Sequence, residues 1–188
     1  MAVQASVPVG AAMPDPRSEP IRATIAVCFA PEQDCAAAVI RAIDGARREI
    51  LVNAYNLTTG AGIVEALVRA RGRGVDVRLI ADKRTPCERN SGIDALAEAG
   101  TLIWIDHTVP IAHAKTMVID DAVTLMGSYN WTRNAARNSE DLNLVASRTV
   151  AAAYAAQWST RRAVSALFAG RQDWCHPRRP RKPLDAGD

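Results

Sequence analysis

The chain has no apolar run of the ~18–20 residues that a bilayer-spanning helix needs. Its first twenty residues lack the basic start and continuous apolar centre of a secretory leader, and Pro8, Pro14, Pro16 and Pro20 interrupt them. They read as a disordered arm, or as the front of a mature exported protein whose leader was replaced by Met1. Zinc-type cysteine spacing is also missing. Cys28, Cys35, Cys87 and Cys175 form no Cys-x2-Cys pair, which disfavours a metal knuckle. Their even number permits disulfides in an oxidising compartment, but the sequence does not give the pairing. Charge of one sign is scarce: 23 basic against 20 acidic residues leave +3. Residues 171–188, with five basic and three acidic groups, supply +2 of it. Any attraction for nucleic acid must therefore be local. There is no internal repeat and no second His-x-Lys.

What is present fits one α/β domain over residues 21–169, between the arm and a Pro/Arg-rich basic tail at 170–188. Residues 22–30 alternate and run into Pro31, as a strand does before a turn. Asp34 is a plausible N-cap, and Ala36, Val39, Ile40, Ile43 and Ala46 recur at helical spacing. Residues 49–56 form a buried strand. Ile63, Ala66, Leu67 and Ala70 mark a second helix that Gly72 and Gly74 stop, and 75–81 form a third strand. Strand–helix–strand–helix–strand predicts parallel crossover units, so we expect a mixed, largely parallel sheet flanked by helices. A polar loop at 82–91 carries Lys83, Arg84 and Arg89, either as a solvated connector or as the wall of a ligand crevice. A short helix at 92–99, strands at 101–106 and 140–146, and an Ala-rich helix at 148–168 complete the series. The apolar stripe of that last helix, Tyr154 and Trp158 included, reads as core or subunit contact.

The most informative stretch is His113-Ala-Lys115-Thr-Met-Val-Ile-Asp120, followed by Gly127-Ser128-Tyr-Asn130-Trp131-Thr132. It predicts two apolar strands joined by a turn at Asp120 and Asp121. On a strand, His113 and Lys115 point the same way, about 6.8 Å apart, with Ala114 turned away. Ser128 and Asn130 repeat the relation. Asp120, five residues after Lys115, falls on the opposite face, which assigns it to tying the turn.

This pattern resembles the His-x-Lys-x4-Asp and Gly-Ser-x-Asn motif of the phospholipase D superfamily. It is most similar to that superfamily's small single-motif bacterial endonucleases. The resemblance spans about residues 21–168 and includes Ala-Tyr-Asn after the second strand and Asn138-Ser139-Glu140 downstream. It implies a phospholipase D-like fold and a double displacement. One His attacks phosphorus to form a phosphohistidine, while a second protonates the leaving oxygen and then activates water. The chain has one motif, so the resemblance implies a homodimer with two His113 rings facing each other. Lys115 and Asn130 would bind the nonbridging oxygens. Ser128 would donate to them or orient a partner, and Glu140 would accept from an imidazole nitrogen. The cations and neutral donors imply a metal-independent reaction with no cofactor.

The superfamily includes nucleases, phospholipases and phosphatidyltransferases. A non-specific endonuclease on DNA or RNA is the favoured expectation. Arg133 and Arg137 beside the motif, with Lys83, Arg84 and Arg89, would track a phosphate backbone, and Trp131 would stack on a base or pack in the core. A phospholipase D acting on lipid headgroups and a silent nucleic-acid-binding module are the alternatives. By resemblance alone, a periplasmic or secreted location is favoured over the cytoplasm.

Overall fold

The structure, a computed structural model, describes residues 21–175. The expected arm over 1–20 and the tail from His176 onward lie outside the described residues. The chain runs β1 (Thr24–Ala30), α1 (Cys35–Asp44), β2 (Glu49–Ala54), α2 (Ile63–Gly72), β3 (Asp76–Asp82), α3 (Ile93–Glu98) and β4 (Leu102–Asp106). It continues through β5 (Lys115–Ile119), β6 (Val123–Gly127), β7 (Glu140–Ala146), α4 (Arg148–Ala163) and β8 (Ala166–Leu167). The eight strands form one mixed sheet in the order β1-β7-β6-β5-β2-β3-β4-β8. Helices α1, α2 and α3 enclose the main core against one face, around Val39, Ile43, Ile50, Leu67, Leu79 and Met117. Helix α4 covers the other through Ala151 and Trp158, packed on Leu51, Ile80 and Val118.

The crossovers expected from the sequence make β2, β3 and β4 parallel. All other ladders are antiparallel, because the motif hairpin and β7 return the chain alongside itself and β1 joins as an edge strand. Parallel pairing is therefore confined to three strands. The seam between the two regimes is β2 against β5, where Ala54 faces Lys115. The last helix is shorter than its stripe suggested. It ends at Ala163, and Ala166–Leu167 add a short strand to the edge of β4.

Two disulfides supply the pairing the sequence left open. Cys28–Cys35 ties β1 to the start of α1, and Cys87–Cys175 joins the loop after β3 to the end of the described chain. Residues 170–175, grouped with the tail by composition, are thus bonded to the domain, and Trp174 packs on its core.

Candidate active site

The β5–β6 hairpin turns at Asp120 and Asp121, both at φ 53°. Asp tolerates this left-handed conformation better than most residues. The Asp120 carboxylate accepts from the backbone N–H groups of Arg47, Arg48 and Glu49 at 2.8–3.1 Å. Burial alone would raise its carboxyl, but these donors outweigh burial and hold it below the usual range. Asp120 thus fastens the hairpin tip to the start of β2, at the opposite end of β5 from His113.

At the other end of the hairpin, His113, Lys115, Ser128, Asn130 and Glu140 line one open cavity of about 710 Å³. Ala114, Thr116, Met126, Gly127, Asn143 and Tyr154 complete its wall. The expected shared orientation of His113 and Lys115 is met, although His113 precedes β5 instead of lying in it. Lys115 Nζ is 2.8 Å from the His113 carbonyl oxygen and 3.0 and 3.1 Å from the ring nitrogens Nδ1 and Nε2. Lys115 is buried at 6% exposure, and that burial pushes its ammonium below the ordinary value, against the pull of Glu140. Asn130 Oδ1 is buried with no hydrogen-bond partner among the described residues. The group of this amide that can meet an anion is its Nδ2, the donor beside that oxygen.

Ser128 follows Gly127, whose φ is 151°. A Cβ there would meet the Asp141 backbone oxygen at 2.3 Å, so only glycine lets β6 pass β7 this closely. The Ser128 hydroxyl donates to Glu140 Oε2 and accepts from the Asp141 N–H. Glu140 Oε1 accepts from Asn138 Nδ2 at 3.1 Å. The hydrogen bond expected between Glu140 and the imidazole is absent among the described residues. Both carboxylate oxygens are engaged with Ser128 and Asn138 instead.

The outer cations are dispersed. Lys83 donates to the Val109 carbonyl at 3.2 Å, and Arg84 pairs with the buried Asp82. Arg89, Arg133 and Arg137 are exposed, and none of the five lines the cavity. Of the two places open to Trp131, the structure gives the core, and the substrate-binding reading falls away. The side chain is fully buried and its indole N–H donates to the Asn53 carbonyl at 3.0 Å, so its ring cannot stack on a base. It holds the segment after Ser128 against β2.

Two neighbours were not singled out from sequence. Tyr55 lies against His113, with ring centroids 4.4 Å apart. Asp82, fully buried, accepts from the backbone N–H of Ala112 at 2.7 Å. Both stand at the ends of crossover strands, a signal that could have flagged them, and Tyr55 also lies in the Ala-Tyr-Asn of the resemblance.

A family model described as "Cardiolipin synthase, PLD-like domain" matches residues 39–162, more than half of the chain. The chain belongs to the phospholipase D superfamily. A relative called phospholipase D, from Rickettsia prowazekii, is 32% identical over 149 residues, covering 79% of this chain and 72% of that protein. Among solved structures, Nuc from Salmonella typhimurium, a phospholipase D family member, superposes with a TM-score of 0.72 at 30% identity. That match covers 78% of this chain and 99% of Nuc. NucT from Helicobacter pylori has the same TM-score at 21% identity, covering 78% and 100%, and supports the shared fold. The superfamily is one of phosphodiesterases, and this cavity gathers His113, Lys115, Ser128 and Asn130 of the motif, with Asp120 at the far end of the hairpin.

Proposed function

We propose that the protein is a metal-independent phosphodiesterase that cleaves nucleic acid as a non-specific endonuclease through a phosphohistidine at a homodimer-shared site. The observation that carries this reading is the convergence of His113, Lys115 and Asn130 on one open cavity. Attack by a ring nitrogen of His113 breaks the bond from phosphorus to the leaving oxygen and forms an N–P bond. Lys115 and Asn130 meet the nonbridging oxygens, where negative charge is concentrated. The leaving oxygen needs a proton, and the cavity of one chain holds one imidazole. The second comes from His113 of another copy, which then takes a proton from water as that water cleaves the N–P bond.

The edge strand supports such a pairing. Ile25, Val27 and Phe29 are all about half exposed, at 58%, 46% and 55%. Val27 pairs with Asn143, and Asn143 with Met126, so the stripe shares the sheet face of the cavity. A contiguous exposed apolar stripe beside an incomplete site fits a second copy of the chain.

A second reading, cleavage of a phospholipid headgroup, is favoured by the name phospholipase D carried by the Rickettsia relative. Plasmid nicking in EDTA, run beside choline release from phosphatidylcholine vesicles, separates the readings. Nicking without choline release supports the nuclease, and the converse supports the lipase. Neither activity, with nucleic acid retained in a shift assay, supports the silent binding module.

A further inference from the structure

We propose that Tyr55 is a positioning residue for the His113 imidazole, setting the direction in which its reactive nitrogen faces phosphorus. The proposal rests on the reading of His113 as the nucleophile. The imidazole needs such a support. Lys115 Nζ is nearly equidistant from the two ring nitrogens. One ammonium cannot align with both in-plane lone pairs, so this contact does not select one ring rotation. The carboxylate of Glu140 is engaged elsewhere. Among the described residues, no other hydrogen bond reaches the ring.

Tyr55 is built to supply the missing restraint. Its backbone N–H donates to the carbonyl of Ala114, the residue between His113 and Lys115, at 3.2 Å. Its own carbonyl accepts from Thr85 Oγ1 at 2.8 Å. Its position is therefore fixed against both the motif segment and the loop after β3. Its ring is tilted 50° to the imidazole, an arrangement aromatic pairs favour, and Lys115 Nζ lies 4.5 Å from its centroid. Arg84 Cζ lies over the same ring at 5.1 Å.

Asp82 fastens the arrangement. Oδ1 accepts from Arg84 Nε at 2.8 Å and from the Arg84 backbone N–H at 3.0 Å, while Oδ2 accepts from Ala112 N–H. One buried carboxylate thus holds both the guanidinium over Tyr55 and the backbone just before His113. Tyr55 does not line the cavity, and its hydroxyl makes no hydrogen bond among the described residues. The ring, not the hydroxyl, is the working part.

The test compares Tyr55→Phe and Tyr55→Leu in the full chain, using bis(p-nitrophenyl) phosphate as a small diester probe. Misplacing a reacting group by about 1 Å can cost ~10²-fold, so Tyr55→Leu is expected to lose kcat on that order with KM little changed. Tyr55→Phe should keep kcat within about twofold, because the ring remains. An independent readout is the NMR shift of the His113 ring protons, displaced by the Tyr55 ring current in the parent and in Tyr55→Phe. Those resonances should move in Tyr55→Leu. Arg84→Gln, at a half-exposed side chain, empties no buried space and should move them in the same direction by less. Full kcat in Tyr55→Leu, an equal loss in Tyr55→Phe, or unmoved His113 resonances would each overturn the proposal. If the parent chain cleaves no diester, the phosphodiesterase reading fails, and the proposal fails with it whatever the ring shifts report.

Discussion

The Ser128 hydroxyl donates to Glu140 Oε2 across 2.5 Å while accepting from the Asp141 N–H. A hydroxyl has one proton, so Ser128 has none to offer a nonbridging oxygen in this arrangement. In the proposed mechanism, its contribution would pass through Glu140. Ser128→Ala is therefore expected to reduce turnover by less than loss of a direct donor does. Its defect should be no deeper in a Glu140→Gln background, where the serine has lost the carboxylate it orients. A double-mutant cycle on plasmid nicking measures this, and simple additivity would separate the two residues.

Loss of one preorganised donor to a transition-state oxyanion typically costs about 10²–10³ in rate. Lys115→Ala and Asn130→Ala are expected to fall in that range. His113→Ala should show no turnover, and single-turnover trapping with labelled diester should find no phosphoprotein. The parent should act equally well with EDTA present. Abolition by chelator with rescue by magnesium would contradict the proposed chemistry.

If the proposed homodimer forms through β1, charge placed on its exposed stripe should separate the copies without disturbing the core. Val27→Glu with Phe29→Glu is expected to sediment as a monomer with unchanged circular dichroism and to lose nicking activity. A monomer of full activity would remove the need for a second imidazole.

Two carboxyls give opposite signs in stability against pH. Burial, and next the charge of Asp82, push Glu88 in the loop after β3 up to about 7, against the pull of Arg84. Its unfolded value is ~4.3, so between these limits the folded chain holds the proton more tightly. This contribution is full at low pH and is lost as pH rises towards 7. Asp120 behaves conversely, since its folded carboxyl lies below the ordinary value. Its contribution is present above ~3.9 and is lost as pH falls through the depressed folded value. Urea midpoints across pH 3–8 should flatten at the upper end in Glu88→Gln and at the lower end in Asp120→Asn.

The Cys87–Cys175 bond closes a span of 88 residues. Crosslinks of this kind typically contribute about 2–4 kcal/mol by limiting the unfolded chain. Cys87→Ser with Cys175→Ser should lower the denaturant midpoint accordingly. Ellman titration of the parent should find no free thiol among its four cysteines.

Much of this architecture is legible in the sequence because periodicity is local. Ile63, Ala66, Leu67 and Ala70 place α2, and all four are buried. Strand β7 begins and ends where its alternation does, at Glu140 and Ala146. The cavity was partly legible because the spacing of His113, Lys115, Ser128 and Asn130 lies within one hairpin. What stayed hidden depends on distant pairing. Tyr55 is 58 residues from His113, and only the β2–β5 register brings them together. The shortfall of α4 has a similar cause. Its stripe continues past Ala163, but the edge of β4 offers unpaired backbone groups that Ala166 and Leu167 complete. Trp131 takes the core place its sequence already favoured, because its N–H finds the Asn53 carbonyl inside.

At the β2–β5 seam, the crossover half of the chain brings Tyr55 and Asp82 to a point where the hairpin half brings His113, Lys115 and Asn130. Neither half holds all five of these residues. Split into two pieces, the chain should regain turnover only when both are mixed, and complementation would then report the closing of that seam.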